Sequence, residues 1–513
     1  MSKKLSLLSF LVLFILACNQ NTVPIVEKKE EPQYQAVYEN SEYQKREFRG
    51  VWIASVANID WPSRKGLSSD EQKAEYIKLA EKAKGMGLNA LLVQVRAATD
   101  AFYLKSPEPW SEWLMGEQGK APSPMYDPMS FMIDETHSRG MEFHAWLNLN
   151  RGMHKKASSM MSDHLIYTRP EWFLTYDGYK LFNFGIPEVR KYIKDVVMNI
   201  VREYDVDGIH FDDYFYPYKV NGQNLNDEAT FKKYSDGFDN IEDWRRHNID
   251  LIVKEISEGI RAEKPWVKFG ISPFGVWRNK SDDPLGSETR GGQPSYDFLF
   301  ADTRKWAQEG WIDYIAPQIY FPFEHKLVPY ATLTDWWAQH RGKADLYIGH
   351  GVYRVDEESS QSPWRDANQI GRQVDYNRMS RNVNGSIFFS ANGFLKNNLG
   401  VADSLKNRFN IIALPPVTGQ KDIPADCSVA DLTIKNSGSA TTLSWKVNGA
   451  EFSVIYRFEK GESLNLNDPS KILAIGKFER FSDQTAVANK AYIYAVTGLD
   501  RFKIESKPDF IEL

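Results

Sequence analysis

Between residues 45 and 413 the chain alternates eight times between a short apolar run and a stretch of helical period. The apolar runs fall at 48–55, 89–95, 141–148, 207–212, 267–272, 312–319, 345–351 and 385–390. Each has the length of a strand and falls short of a helix. In the first intervening stretch Ser69 and Gln72 read as a capping box, Ala80 and Ala83 follow, and Gly85 and Gly87 stop the helix. Pro187 opens another, with Val189, Ile193, Val196, Val197, Ile200 and Val201 on one face. A third, over 240–263, leads into the fifth run. Eight strand–helix units predict an α/β chain folded as a (β/α)8 TIM barrel lengthened by insertions. An open doubly wound sheet competes, but no Gly-rich phosphate loop follows the first strand.

A barrel of this kind gathers its chemistry at the carboxyl ends of its strands. There the fourth run reads VDGIHFDDYFYP and ends in two neighbouring carboxylates, Asp212 and Asp213, followed by an aromatic loop. Acid/base chemistry needs one carboxylate held ionised and a second kept protonated by burial or by its neighbour's charge. A turn Asp beside a solvated one is the plainer reading of a lone DD, and the position at a barrel strand end decides against it. Adjacent residues of an ideal strand point oppositely, so both reach one site only if the strand ends at Asp212.

The other strand ends are polar and aromatic. They offer Trp52, then Gln94 and Arg96, then His144, Trp146 and Asn148 at alternate positions, His210 beside the Asp pair, Gln318 and Tyr320 after the sixth strand, and Asn392 after the eighth. Rings of this type stack on sugars, and the amide, guanidinium and imidazole groups bond hydroxyls. Any one alone is more simply a satisfied core polar group; their convergence on one rim predicts a glycan site.

The amino terminus bears on compartment. Lys3 and Lys4 precede an apolar run over 5–17 that suits a signal peptide and is too short to span a bilayer. Ile15, Leu16, Ala17 and Cys18 resemble a bacterial lipobox, so residues 1–18 read as a lipoprotein leader with Cys18 lipidated as a membrane anchor. Asn19 in place of Asp favours the outer membrane of the cell envelope, and residues 19–44 read as a polar tether. Cys427 is the other of two cysteines, so with Cys18 lipidated no disulfide is expected. The net charge of −5, with no basic stripe, argues against a nucleic-acid partner. Aromatic residues make up 13% of the chain, which suits sugar stacking and a large core alike.

Three blocks, REFRGVWIASVANIDWPS (46–63), NALLVQVRAATDAFY (89–103) and VDGIHFDDYFYPY (206–218), resemble in order the glycosyl hydrolase-like 10 family of bacterial lipoproteins. The resemblance spans about 45–413. It implies a glycosidase-like barrel, and some members act on peptidoglycan glycan strands whose stem peptides have been removed. It also places the family's Asp pair on Asp212 and Asp213, its first-strand Arg on Arg49, and its second-strand Gln and Arg on Gln94 and Arg96.

After Pro415 and Pro416 the composition changes to short alternating runs, and Trp445, Tyr456, Tyr492 and Tyr494 fall where a fibronectin type III-like sandwich keeps its core aromatics. Residues 417–513 are therefore expected to form an accessory β-sandwich, joined by a linker that few contacts cross.

Two mechanisms for a glycoside hydrolase stay open. In one, Asp212 is the nucleophile of a retaining α-glycosidase, which needs an acid about 5 Å away; KFGISPFG supplies no strand-five Glu. In the other, the substrate's acetamido oxygen attacks, one Asp orienting it and the other protonating the leaving oxygen, with Tyr320 holding the acetamido group. Neither needs a cofactor. A metal hydrolase built on His144, His210 and Asp212 lacks an HxH or HExxH pair, and a non-catalytic glycan-binding lipoprotein remains the alternative outside enzymes.

Overall fold

The computed structural model describes residues 44–513, apart from 236, 420–422, 437–439 and 488–489. The expected leader, Cys18 and nearly all of the tether lie outside the described residues. Eight parallel strands close on themselves: β1 (Phe48–Ile53), β2 (Ala90–Arg96), β3 (Glu142–Leu147), β7 (Gly208–Phe211), β8 (Lys268–Ile271), β9 (Tyr314–Ile315), β10 (Asp345–Gly351) and β11 (Gly385–Phe389). Each expected run supplies one strand. β9 is much shorter than its run, because Pro317 has no N–H to continue the ladder; Gln318 still bridges Phe274 and Gly349. Between β3 and β7 an inserted three-stranded sheet comprises β4 (Arg151–Met153), β5 (Phe173–Tyr176) and β6 (Tyr179–Phe182).

The first helix, Ser69–Gly85, carries its capping box one residue earlier than the sequence reading. Ser68 is the N-cap, and Glu71 returns the bond to the Ser68 backbone. The helices Pro187–Glu203 and Ile241–Glu263 follow the expected bounds.

Alternation along the strands sorts side chains into two cores. Val51, Ile53, Leu91, Val93, Phe143 and Ala145 face outward into the layer under the helices. Phe48, Trp52, Leu92, Trp146, Tyr314 and Tyr347 fill the barrel interior. These rings need space opposite them. A Cβ on Gly270 would stand 1.9 Å from the Tyr314 ring, and one on Gly208 would stand 2.4 Å from His144 Nδ1. Only glycine fits at these two strand positions.

The carboxy-terminal region forms two antiparallel sheets from β12 (Ser428–Asn436), β13 (Thr441–Asn448), β14 (Phe452–Glu459), β15 (Ile472–Gly476), β16 (Arg480–Asp483), β17 (Tyr492–Leu499) and β18 (Asp509–Glu512), ordered β12-β13-β16 and β15-β14-β17-β18. Leu443, Trp445, Ile455, Tyr492, Tyr494 and Val496 form one core. Tyr456, expected among them, lies on the other face of β14 with Leu414, Phe452 and Val454, as its even position beside Ile455 requires.

That second face seals the amino-terminal end of the barrel, so the linker is not a loose hinge. Lys503 reaches Asp207 Oδ1 at 2.9 Å and Glu451, with Glu142 at 3.9 Å. Lys268 donates to both oxygens of Glu142 at 2.7 and 2.8 Å and to Pro416 O at 3.1 Å, while His137 meets Asp207 at 2.8 Å. All six groups are buried. Burial works against ionised Asp207, but Lys503 and His137 outweigh it and hold its carboxyl well below the usual range.

Candidate active site

At the opposite, carboxyl-terminal end a cavity of about 360 Å³ opens between the strand ends. β7 stops at Phe211, one residue before the pair, so strand alternation no longer separates Asp212 from Asp213 and both line the cavity. Among the described residues they are the only carboxylates that line it. Their surroundings differ. Asp212 accepts Trp146 Nε1–H at 3.2 Å and Asn148 Nδ2–H at 3.1 Å to each oxygen. Burial raises its pKa, opposed by the Arg151 charge and by those two donors. Asp213 accepts a short hydrogen bond from the Tyr218 hydroxyl. Burial, then the charge of Asp212, pushes it up to about 6. Trp52, Trp146, Tyr214, Tyr218, Phe274 and Tyr320 supply aromatic walls.

The floor is a directed chain of hydrogen bonds. Trp52 Nε1–H can only donate, so His210 Nε2, at 3.0 Å, is the acceptor and its proton sits on Nδ1. That proton goes to Tyr314 Oη at 3.0 Å, whose own hydroxyl donates to His144 Nδ1 at 2.9 Å. His144 Nε2–H ends the chain on Glu142 Oε2 at 3.1 Å. Both imidazoles are therefore neutral. Burial drives the pKa of His144 down and that of His210 well down, the neighbouring His144 adding to the latter. With every ring nitrogen engaged by protein, neither histidine is arranged as a ligand beside Asp212.

The model of the glycosyl hydrolase-like 10 family matches residues 47–366. The chain belongs to this family. It is a glycoside hydrolase by that membership. It is 44% identical over 475 residues to glycosyl hydrolase YngK of Bacillus subtilis (strain 168), covering 90% of this chain and 92% of that protein. To glycosyl hydrolase DigH of Escherichia coli (strain K12) it is 36% identical over 400 residues, 74% of this chain and 90% of the relative. Among solved structures, the glycoside hydrolase domain of PgaB (BpsB) from Bordetella bronchiseptica aligns over 71% of this chain and 98% of its own, with 11% identity and a TM-score of 0.44.

Of the residues that the glycosyl hydrolase-like 10 pattern carries over, Asp212, Asp213 and Gln94 line the cavity, and Arg49 and Arg96 do not. Arg49 lies outside the barrel wall at its far end, bonded to Glu47 at 2.7 Å and Ile411 O at 2.7 Å. It stands an odd number of residues from inward-facing Trp52, so alternation turns it outward. Arg96 shares parity with Gln94, but the register shifts between them, setting Gln94 opposite Trp146 and Arg96 opposite outward-facing Leu147. Its guanidinium forms a buried fork with Glu108 at 2.6 and 2.7 Å. Gln94 Oε1 accepts from the Ser55 and Val56 amides, leaving Nε2 buried with no partner among the described residues.

Trp52, Trp146, Gln318 and Tyr320 line the cavity as expected. Asn148 stands behind Asp212, and His144 and His210 lie beneath in the floor. Asn392 does not enter; its backbone N–H donates to Asp60 Oδ1 at 2.7 Å and its side chain to Ile59 O at 3.2 Å, tying the first strand end to the eighth. Sequence reasoning passed over Arg151, Tyr353 and Arg354, which do line the site. The last two follow β10 directly, and the strand-end rule applied to the seventh strand would have found them.

Proposed function

We propose that this protein cleaves N-acetylhexosamine-containing glycan strands of peptidoglycan freed of their stem peptides, using the substrate's acetamido group as nucleophile. The observation that carries this reading is the Asp212–Asp213 pair: two carboxylates from one strand end, unequally bonded, with no third acid among the described cavity-lining residues. A retaining mechanism through an enzyme nucleophile needs acid and nucleophile on opposite sides of the bond, about 5 Å apart. Asp213, raised to about 6, is the general acid. Asp212, on which the Arg151 charge and the Trp146 and Asn148 donors oppose the upward push of burial, is the stabilising carboxylate that orients the acetamido group as it closes on the anomeric carbon. Tyr320 and Trp52 form the wall against which that group packs.

The leader and lipobox support placement in the envelope, anchored through lipid on Cys18, where this polymer lies. The three-plus-four sheet order supports a fibronectin type III-like reading of the carboxy-terminal sandwich. The test is incubation of the protein with intact and with peptide-free strands, and identification of the new ends by mass spectrometry. Cleavage of the peptide-free strands is expected, with strong inhibition by a thiazoline that mimics the cyclised intermediate. De-N-acetylated strands cut at the normal rate, or a sugar trapped on Asp212, would replace this mechanism with the nucleophilic one. No cleavage of any glycan would leave a binding lipoprotein.

A further inference from the structure

Arg151 is only 7% exposed, yet its guanidinium donates no hydrogen bond and forms no ion pair among the described residues. Its backbone is fixed: the amide donates to Asn148 Oδ1 at 3.0 Å, and the same Asn148 holds Asp212. Its guanidinium sits over the Tyr214 ring, with Cζ 4.3 Å from the ring centroid. A guanidinium held on an aromatic face can still offer the N–H donors of its fork to a ligand. An arginine carries five N–H donors, and those of Arg151 are not sealed off from the cavity space it lines, where a ligand can take them.

The place of the guanidinium bears on the kind of ligand. Arg151, Tyr214 and Tyr218 are shared between the catalytic cavity and a neighbouring cavity of about 170 Å³, walled by Tyr176 and Tyr179 of the inserted sheet. That second space adjoins the Asp pair and offers aromatic faces to a neighbouring sugar ring. A guanidinium fork matches a carboxylate in two parallel hydrogen bonds. Asp212 already has its own donors from Trp146 and Asn148, so the fork is not needed to complete it.

Resting on the reaction proposed above, we infer that Arg151 is a specificity-determining residue that reads a carboxylate on the sugar adjacent to the scissile bond, making the substrate an acidic glycan. Within a peptidoglycan strand that group is the lactyl carboxylate of muramic acid, which is anionic only when no stem peptide is amide-linked to it. The fork would thus select peptide-free strands by charge as well as by size.

The experiment compares peptide-free strands with the same strands after conversion of the lactyl carboxylate to its methylamide, and with hyaluronan, whose carboxylate belongs to a uronic acid. The wild-type protein is expected to favour the free-acid strands over the methylamide by about tenfold to a hundredfold in kcat/KM, the range of a charged hydrogen bond. Cleavage of hyaluronan alone would move the carboxylate to a uronic acid; cleavage of muramic strands alone keeps it lactyl. In Arg151→Ala the acid-to-amide ratio should collapse toward one, and in Arg151→Lys it should recover in part. Lysine restores charge without the fork and covers the case in which the alanine variant folds poorly.

An arginine that only supports Asp212 would lose rate equally on both substrates. A ratio unchanged in Arg151→Ala, or a wild-type ratio near one, would overturn the proposal. Calorimetric binding of a muramic acid-containing tetrasaccharide and its methylamide separates the two readings. Tighter binding of the acid that depends on Arg151, without turnover, would sink the reaction and keep the carboxylate site; equal binding would sink the site.

Discussion

Replacing Lys503 by Met tests whether the sandwich is part of the barrel's own stability. The side chain is 1% exposed, and methionine keeps an unbranched chain one atom shorter while deleting the charge. Three carboxylates face the ammonium: Asp207 at 2.9 Å, Glu142 at 3.9 Å and Glu451. Removing one partner of a buried ionic group costs about 3–5 kcal/mol. Asp207 keeps His137 and the Phe143 amide, and Glu142 keeps Lys268, so the lower end, about 3 kcal/mol, is expected. The sign with pH follows from Asp207. Its folded pKa is depressed, so it contributes stability above its ordinary value of 3.8, and that contribution is lost as pH falls through the folded value. Without Lys503 the depression shrinks, and so does the stabilisation at neutral pH.

The assay is urea unfolding of the full chain at pH 7, followed by tryptophan fluorescence, beside Glu451→Met and the double variant. Removing both groups should cost less than the sum of the two single changes, because neither partner is left buried and alone. A Lys503→Met protein within about 0.5 kcal/mol of wild type, the range of an ordinary surface change, would refute the reasoning.

Asp212→Asn and Asp213→Asn should each lower kcat/KM on peptide-free strands by about a hundredfold or more with circular dichroism unchanged, the loss expected when acid/base or electrostatic help is removed. A general acid works protonated, so the rate should fall as pH rises through about 6, where Asp213 titrates, and Asp213→Asn should abolish that limb in the pH profile. Tyr218→Phe deletes a donor that favours ionised Asp213, so the limb should move to higher pH by about one unit, the equivalent of a charged hydrogen bond. Arg96→Met should unfold at lower urea, by about 3 kcal/mol or more for breaking its buried fork with Glu108, and the natively folded fraction should retain turnover.

The barrel was legible because its signal repeats: eight strand-length runs separated by helical stretches leave few other closures. The Asp pair was legible because the barrel fixes which end of a strand carries chemistry. Arg49 was open to correction from the sequence itself, since its odd offset from Trp52 puts it on the other side of the wall. Arg96 was not, because a register shift leaves no mark in VQVRAATD that a parity count detects. The seal formed by the sandwich was equally hidden. Lys503, Glu451, Asp207 and Glu142 are scattered along the chain, and nothing in the composition of a surface-like lysine says that it will be buried against one partner 52 residues away and another 296 residues away.

The two ends of the barrel are nevertheless one polar structure. The donor chain from Trp52 runs through His210, Tyr314 and His144 and must end on an acceptor, which is Glu142. Burial alone would protonate Glu142; Lys268 and His144, with Lys503 from the sandwich, outweigh it and keep its carboxyl below the usual range. With that terminus fixed, each ring above it has one possible tautomer, and His210 is held neutral two residues before Asp212. An imidazolium at that position would favour the charged form of the nearby carboxylates and draw the proton off Asp213. The neutral floor leaves Asp213 under the influence of burial and of the neighbouring Asp212 carboxylate, the two causes that push its pKa up to about 6. If Asp213 is the general acid proposed above, the ionic seal at one end supplies a condition for its protonation at the other, through hydrogen bonds that all point the same way.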